Sequence, residues 1–204
     1  MKSSLETVPV LISKRINEKN SGDIFFINEF SGFNDEYVGR ILSQAVAMGK
    51  IVRIANGIYY KPVMSKFGIV YPSTEKLIKT IMERDNASIL PSGATALNRL
   101  GLSTQVPMNS VFLTNGSARV ISLGNKKITL KRAVQKNFMF EGKLMPVLVQ
   151  ALKSLGESNI TSKEEGDIQA VISRYPDELD DIRKGLPYVP NWMRKLLNNI
   201  IKKI

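Results

Sequence analysis

The sequence predicts an α+β protein with two domains, on three observations. Apolar residues recur at helical spacing in the N-terminal part of the chain and again after residue 145. Between these regions, short runs of β-branched and aromatic residues are separated by Asn-Gly and Gly-Asn pairs, which are typical of turns between strands. The 204 residues, 43% of them hydrophobic, suffice for two small cores.

Composition narrows the function classes before any motif is considered. The chain has no Cys and no His, which excludes disulfides, thiolate or imidazole metal ligands, and His-based catalysis. A net charge of +11 favours polyanionic partners such as nucleic acid. The sequence has neither a long apolar run nor a signal-like N-terminus, so we expect a cytoplasmic protein without a membrane partner.

The first predicted element is a helix, with one apolar stripe formed by Leu5, Val8, Leu11, Ile12 and Ile16. A short apolar run at 24–27 and a tight turn at 31–33 follow. Asn34 is a predicted N-cap for the next helix, which ends at Gly49. The side chains that this helix should bury are Val38, Ile41, Leu42, Ala45 and Met48.

Two β-branched or aromatic runs then flank Asn56-Gly57, which predicts a hairpin. This order of elements is that of a winged helix-turn-helix: a helix, an apolar run, a short helix or turn, a capped helix and a hairpin. We assign the winged helix-turn-helix to residues 1–62. The capped helix would be the recognition helix and the hairpin the wing. The candidate DNA-binding residues are Tyr37, Arg40, Ser43, Gln44, Arg53 and Asn56.

Each role follows from side-chain chemistry. Arg40 can present a fork to guanine or a charge to phosphate, and Gln44 can pair with adenine. Tyr37 and Ser43 can donate to phosphates, and Arg53 on the wing strand is a phosphate candidate. The alternative is that these are ordinary solvated side chains, and winged helices also serve as protein-binding modules.

After a connector at 61–73, residues 73–204 are expected to form a mixed α/β domain. Ser73 or Thr74 should cap a helix, and a second helix should end at Gly101. Three strands, near 111–114, 119–123 and 128–132, should form a small antiparallel meander, followed by C-terminal helices beginning at Met145.

The predicted meander is basic, and no acidic residue lies between Ala118 and Lys136. Residues 62–157 carry a net charge of +8, whereas residues 1–61 carry only +2. Two explanations of this positive charge are open. The meander is either a second surface for phosphate or an acidic partner, or a solvated sheet face. The residues of this second basic surface are Arg119, Lys126, Lys127, Lys131 and Arg132.

Acidic clusters at 164–167 and 177–181 lie near predicted helix N-termini, where carboxylates suit the helix dipole. We therefore expect no metal, no cofactor and no enzymatic activity. A carboxylate-dependent nuclease is the enzymatic alternative. It would cleave DNA with a metal ion and lose that activity on Asp167→Ala.

Two segments carry a family resemblance. Residues 49–60 read GKIVRIANGIYY, and residues 101–107 read GLSTQVP, followed by FLTNG at 112–116. Together they resemble the AbiEi-type antitoxins of bacterial type IV toxin–antitoxin systems and the related DUF6088 group. The resemblance runs from the N-terminal helix to about residue 200.

This resemblance implies an autorepressor that binds the operator of its own operon through the winged helix. It also implies a C-terminal antitoxin domain that counteracts a neighbouring toxin with a nucleotidyltransferase fold, with or without a stable complex. The alternative is a stand-alone transcriptional regulator whose second domain dimerises or senses a ligand.

Overall fold

The computed structural model describes residues 7–204, so Leu5 of the predicted first stripe lies outside the described residues. The described chain is a mixed α+β protein with eight α-helices and nine short strands. It divides into two compact units. Among the described residues, the first comprises 7–80 with 121–125, and the second comprises 81–120 with 126–204. The predicted domain limits, 1–62 and 73–204, stay predictions.

The first unit begins with α1 (Val8–Glu18), β1 (Ile24–Phe26) and a 3₁₀ turn (Ile27–Phe30). Next come α2 (Asp35–Ala47), β2 (Val52–Ala55) and β3 (Ile58–Tyr60). The three strands form one sheet in the order β1-β3-β2. Its pairing is antiparallel, with Phe25 opposite Tyr59 and Arg53 opposite Tyr59 on the other side.

A small core holds these elements together. It is formed by one face of α1, one face of α2 and the inner side of the sheet, and Phe25 stacks on Tyr59 with ring centroids 5.7 Å apart. At about 25 cal/mol per Å² of apolar surface, such burial is the main stabilising contribution. The buried members are Ile12, Ile16, Phe25, Phe30, Val38, Leu42, Ala45, Ile51 and Tyr59.

One predicted member of this core is wrong. Met48 is 67% exposed. Met48 is the C-cap of α2, one residue past the last helical residue Ala47, so it no longer follows the helical spacing that buries Leu42 and Ala45. The predicted N-cap is confirmed, because Asn34 Oδ1 accepts a hydrogen bond from the Tyr37 N–H at 3.1 Å.

The predicted connector contains a hairpin that was not predicted from the sequence. β4 (Val63–Ser65) pairs antiparallel with β5 (Gly68–Val70), with Lys66 and Phe67 at the turn. α3 (Thr74–Asp85) follows. Ser73 caps it as predicted, its Oγ accepting from the Lys76 N–H at 3.1 Å.

The remaining strands are β6 (Ile89–Pro91), β7 (Asn109–Thr114), β8 (Arg119–Leu123) and β9 (Lys126–Arg132), and α4 (Ala94–Leu100) lies between β6 and β7. They form a sheet in the order β6-β7-β9-β8. β6 and β7 are antiparallel, but β7 and β9 are parallel. The predicted antiparallel meander is therefore wrong.

The contacts of Asn115 and Gly116 explain the difference. The Asn115 N–H donates to the Ser88 carbonyl at 3.3 Å, and the Ser88 N–H donates to Asn115 Oδ1 at 2.8 Å. These bonds extend the β6–β7 pairing. A Cβ on Gly116 would lie 2.9 Å from Ala87 Cβ, so the glycine permits a close approach instead of turning a β7–β8 hairpin.

The C-terminal half is helical, with α5 (Met145–Leu155), α6 (Ser162–Ser173), α7 (Leu179–Gly185) and α8 (Asn191–Ile201). Their apolar faces form a core with Ala96 and Leu100 of α4. α5 is its centre, because every residue from Met145 to Leu152 is buried. Within residues 7–204 no helix has the length and apolar character needed to cross a membrane.

Candidate nucleic-acid interface

One face of α2 is polar and open to solvent. Arg40, Ser43 and Gln44 are exposed and Tyr37 is half-buried, while Val38, Leu42 and Ala45 on the opposite face are buried. Helical spacing explains this division, because residues three and four apart lie on the same side. Asp35 and Glu36 are exposed in the first turn, where their charge suits the helix dipole.

Two of the predicted α2 residues contact each other. The Arg40 guanidinium carbon lies 4.5 Å from the centroid of the Tyr37 ring, a cation–π arrangement. The ring therefore supports the guanidinium on the exposed face, and no carboxylate of the described residues is paired with it. Its five N–H donors are available to an incoming acceptor.

The other two predicted α2 residues differ in what they offer. Ser43 Oγ donates to the Gly39 carbonyl at 2.8 Å, so its hydroxyl proton is used within the helix. Gln44 is exposed one turn after Arg40. The helix thus presents a fork and an amide in one line, spaced by about 6 Å along the axis.

The β2–β3 hairpin holds the remaining predicted residues. Arg53 Nη2 donates to Asn56 Oδ1 at 2.6 Å, so the strand arginine and the turn asparagine form a pair. Gly57 has φ +67°, and its carbonyl accepts from the Ile27 N–H at 3.0 Å. This bond joins the turn to the 3₁₀ segment that precedes α2. Burial raises the pKa of Tyr59, opposite Arg53, and the nearby Arg53 charge partly opposes that rise.

A further cation, Arg15, is not among the residues predicted from the sequence. It projects from α1, with its guanidinium carbon 5.0 Å from the centroid of the Phe33 ring in the turn before α2. Arg15 thereby adds a cation beside the start of α2. Its position depends on how α1 packs against that turn, and no local pattern in the sequence signals this contact.

The second basic surface is not uniform. Lys127, Thr129 and Lys131 occupy every second position of β9, so their side chains lie on one face of the sheet. The two lysines are exposed, and they pair with Asn109 and Leu113 of β7. Lys126 and Arg132 are exposed at the two ends of β9, in phase with the buried Ile128 and Leu130.

Arg119 differs from these four residues. Its side chain is 16% exposed and forms an ion pair with Asp85 at 2.8 Å. Because this carboxylate compensates its charge, Arg119 contributes less to an anion-binding surface than the four residues of β9.

The acidic clusters of the C-terminal helices have structural partners. Thr161 and Glu164 form a capping box at the start of α6. Glu178 Oε2 accepts from the Lys143 and Leu144 N–H groups, at 2.7 and 3.1 Å, and so caps the start of α5. Among residues 7–204, no group of three acidic side chains is placed to hold a metal ion.

Most of the chain matches a protein family. The model of DUF6088, described as a family of unknown function, matches residues 11–179. The chain belongs to the DUF6088 family. No curated protein and no solved structure matches it significantly.

The part of this DUF6088 chain that matches the family includes every residue named in the candidate interface. It extends from within α1, through α2 and the β2–β3 hairpin, to the first residue of α7. All six predicted DNA-binding residues and all five residues of the second basic surface therefore lie within the family's common region.

Proposed function

We propose that this DUF6088 protein binds double-stranded DNA through a winged helix-turn-helix in its N-terminal unit and represses its own operon. The observation that carries the proposal is the order α1, β1, 3₁₀ turn, α2, β2, β3, combined with the sheet order β1-β3-β2. This arrangement supports a recognition helix followed by a wing. In the proposed complex, α2 enters the major groove and the β2–β3 turn meets the backbone.

The exposed chemistry of α2 fits such a role. Arg40 and Gln44 carry the two side chains best suited to guanine and adenine edges, and they lie one turn apart on one face. Arg15 lies beside Phe33 just before α2, and Arg53 lies on the hairpin. In the proposed complex both contact phosphates and so fix the orientation of the helix. Asp35 and Glu36 would be repelled by phosphate, so contact begins at Tyr37 and Arg40 rather than at the first turn.

The experiment is a binding titration with a labelled duplex covering the region upstream of the gene, against a shuffled duplex of equal length. We expect preference for the upstream duplex and an affinity that falls steeply with salt. Arg40→Ala should remove the preference, whereas Arg183→Ala, which removes an equal charge from α7, should preserve it. Equal binding of both duplexes by the intact protein would refute sequence-specific DNA binding.

We further propose that the chain is the antitoxin of a toxin–antitoxin operon and counteracts a toxin with a nucleotidyltransferase fold. The support is the resemblance carried by residues 49–60 and 101–107. In the structure, the second of these segments lies in the connection from α4 to β7, and Val106 near its C-terminal end is 75% exposed. An exposed connection is available to a partner.

This antitoxin proposal has a genetic test. The product of the adjacent gene is expressed with and without this protein, and growth is followed. Rescue of growth by the intact chain supports the proposal, and growth arrest that continues unchanged contradicts it. A neighbouring gene without toxicity would instead favour the stand-alone transcriptional regulator, which shares the DNA-binding prediction.

A further inference from the structure

The second unit contains a cleft that none of the preceding functions uses. It has a volume of about 730 Å³ and lies between residues 134–140, α5 and the segment 187–190. Its walls are mainly apolar, and Tyr188 at its edge is 55% exposed. The apolar lining residues are Val134, Met139, Phe140, Val149, Pro187, Tyr188, Val189 and Pro190, and the polar ones are Lys136, Asn137 and Lys153.

The polar side of the cleft is held in place by a buried amide. Gln150 is 4% exposed and its Nε2 donates to Asn137 Oδ1 at 3.2 Å. Lys153 Nζ donates to the same oxygen at 3.1 Å. Asn137 is fixed from its other end, where Nδ2 donates to the Val134 carbonyl at 3.3 Å. This network positions the Lys153 ammonium at the cleft and leaves two of its three N–H donors for another acceptor.

The charge of the cleft is uncompensated. No Asp or Glu is among the described residues that line it, which include two lysines. The pKa of Lys153 is lowered, first by partial burial and then by the positive charge of Lys136. Two ammonium groups that repel each other beside an apolar wall are stabilised when an anion enters between them.

We propose that this cleft binds a small organic phosphate: a phosphate monoester joined to an aromatic or apolar body. Two neighbouring ammonium groups match the double negative charge of a phosphate monoester better than the single charge of a carboxylate. Phe140, Met139 and the exposed ring of Tyr188 provide an apolar wall for the body of the ligand. This inference does not depend on DNA binding or on antitoxin action.

The chain supplies its own reporter for a binding experiment. Trp192 is its single tryptophan and lies two residues after Pro190, which lines the cleft. AMP serves as the probe, because it joins a phosphate monoester to an aromatic base. It is titrated into the full chain while Trp192 emission is recorded, and the titration is repeated by calorimetry. Adenosine and inorganic phosphate are titrated separately, each supplying one half of the ligand.

Three variants make the test specific to the cleft. Lys153→Met and Lys136→Met remove one charge each at nearly constant side-chain length. Lys163→Met makes the same change at an exposed position on α6. Unfolding transitions of all three are compared with that of the intact chain, so that a misfolded variant is recognised. The salt dependence of AMP binding gives a second measurement on the intact protein.

We expect saturable AMP binding. Lys153→Met and Lys136→Met should each weaken it at least 10-fold, because loss of one charge-assisted hydrogen bond lowers affinity by about this factor. Lys163→Met should leave it unchanged. Adenosine and phosphate alone should each bind at least 10-fold more weakly than AMP. The proposal is overturned if AMP does not bind at millimolar concentration. Equal binding by the cleft variants, or by phosphate alone, overturns it as well.

Discussion

Arg40 lies above the ring of Tyr37, one turn earlier on α2, with its guanidinium carbon 4.5 Å from the ring centroid. The contact restricts a long side chain that would otherwise sample many rotamers on an exposed helix face. A restricted guanidinium loses less entropy when it meets a base or a phosphate. In the proposed complex, Tyr37 would therefore hold Arg40 in place in addition to the phosphate contact predicted from the sequence.

Substitutions at Arg40 should distinguish the contribution of its charge to DNA binding from that of its planar guanidinium. Arg40→Ala should weaken operator binding by about 10- to 100-fold, because a bidentate base contact contributes about 1–3 kcal/mol. Arg40→Lys keeps the charge but loses the planar fork, so nonspecific affinity should survive while the preference for the operator falls. Competition titrations with operator and shuffled duplexes measure both quantities. Equal operator preference in Arg40→Lys and the intact protein would contradict a base contact.

Arg53 should act as a phosphate contact rather than a base contact. Arg53→Met should reduce the slope of log affinity against log salt by about 1, with the sequence preference retained. Asn56→Ala, which removes only the partner of Arg53, should cause a smaller loss of affinity and leave the slope unchanged. A change of sequence preference in Arg53→Met would place this residue in a groove instead.

Neutralising β9 should reveal what the second basic surface does. Replacing Lys126, Lys127 and Lys131 with Gln should weaken binding to operator and shuffled duplexes alike if this surface contacts phosphate. If DNA binding is intact and rescue from the toxin is lost, the surface belongs to the antitoxin function. If neither property changes, these residues are a solvated sheet face, and both functional alternatives for this surface fail.

Glu178 should contribute more to the free energy of unfolding than its acidic neighbours do. Its carboxylate accepts two backbone N–H groups at the start of α5, so Glu178→Ala should lower the free energy of unfolding by about 1–2 kcal/mol. Asp180→Ala is the matched control. Asp180 is exposed and has a single surface ion pair, to Arg183, so its loss should cost less than about 0.5 kcal/mol. Denaturant titrations compare the two, and equal losses would show that Glu178 does not cap α5.

The start of α6 should contribute to acid sensitivity. The hydrogen bond from the Thr161 hydroxyl, followed by the backbone bonds of the capping box, holds the pKa of Glu164 below its ordinary value of 4.5. A carboxyl with a lowered pKa in the folded state stabilises the fold above its unfolded pKa. That contribution is lost as the pH falls below 4.5 and through the lowered value. Glu164→Gln should therefore be less stable than the intact chain at pH 6, and the difference should shrink towards pH 3. Thermal unfolding at both pH values measures it, and a difference independent of pH would contradict this role.

Local signals in the sequence predicted most helices correctly. Asn34 and Ser73 are caps as expected, and Gly49 and Gly101 follow the last turns of α2 and α4 with positive φ. Each of these depends on residues within four positions of one another. A capping side chain forms its hydrogen bond within its own turn. The local sequence pattern therefore predicts the cap without knowledge of the rest of the fold.

The pairing of the larger sheet could not be read in the same way. Asn115-Gly116 has the composition of a hairpin turn, yet both residues pack against the segment 87–88, nearly thirty positions earlier. The β4–β5 hairpin was missed for the opposite reason, because its turn residues Lys66 and Phe67 are uncommon in tight turns. In each case the distant partner, not the local composition, determines the structure.

The exposure of the candidate DNA-binding residues follows from the sequence pattern, but their side-chain contacts do not. Arg40, Gln44 and Arg53 are exposed, as expected of binding residues. The Arg53–Asn56 pair, the Ser43–Gly39 bond and the position of Arg15 beside Phe33 depend on side-chain conformations that spacing does not determine.

The parallel pairing of β7 with β9 affects how the chain folds while it is being made. When residues 109–114 leave the ribosome, the edge of β7 that faces β9 has no partner. It gains one only after synthesis has passed residue 132, because β8 emerges first and does not fill that place. During this interval the half-formed β6–β7 pair exposes backbone donors and acceptors. Nascent chains truncated at residues 118 and 140 would differ in how readily this edge is captured by another strand.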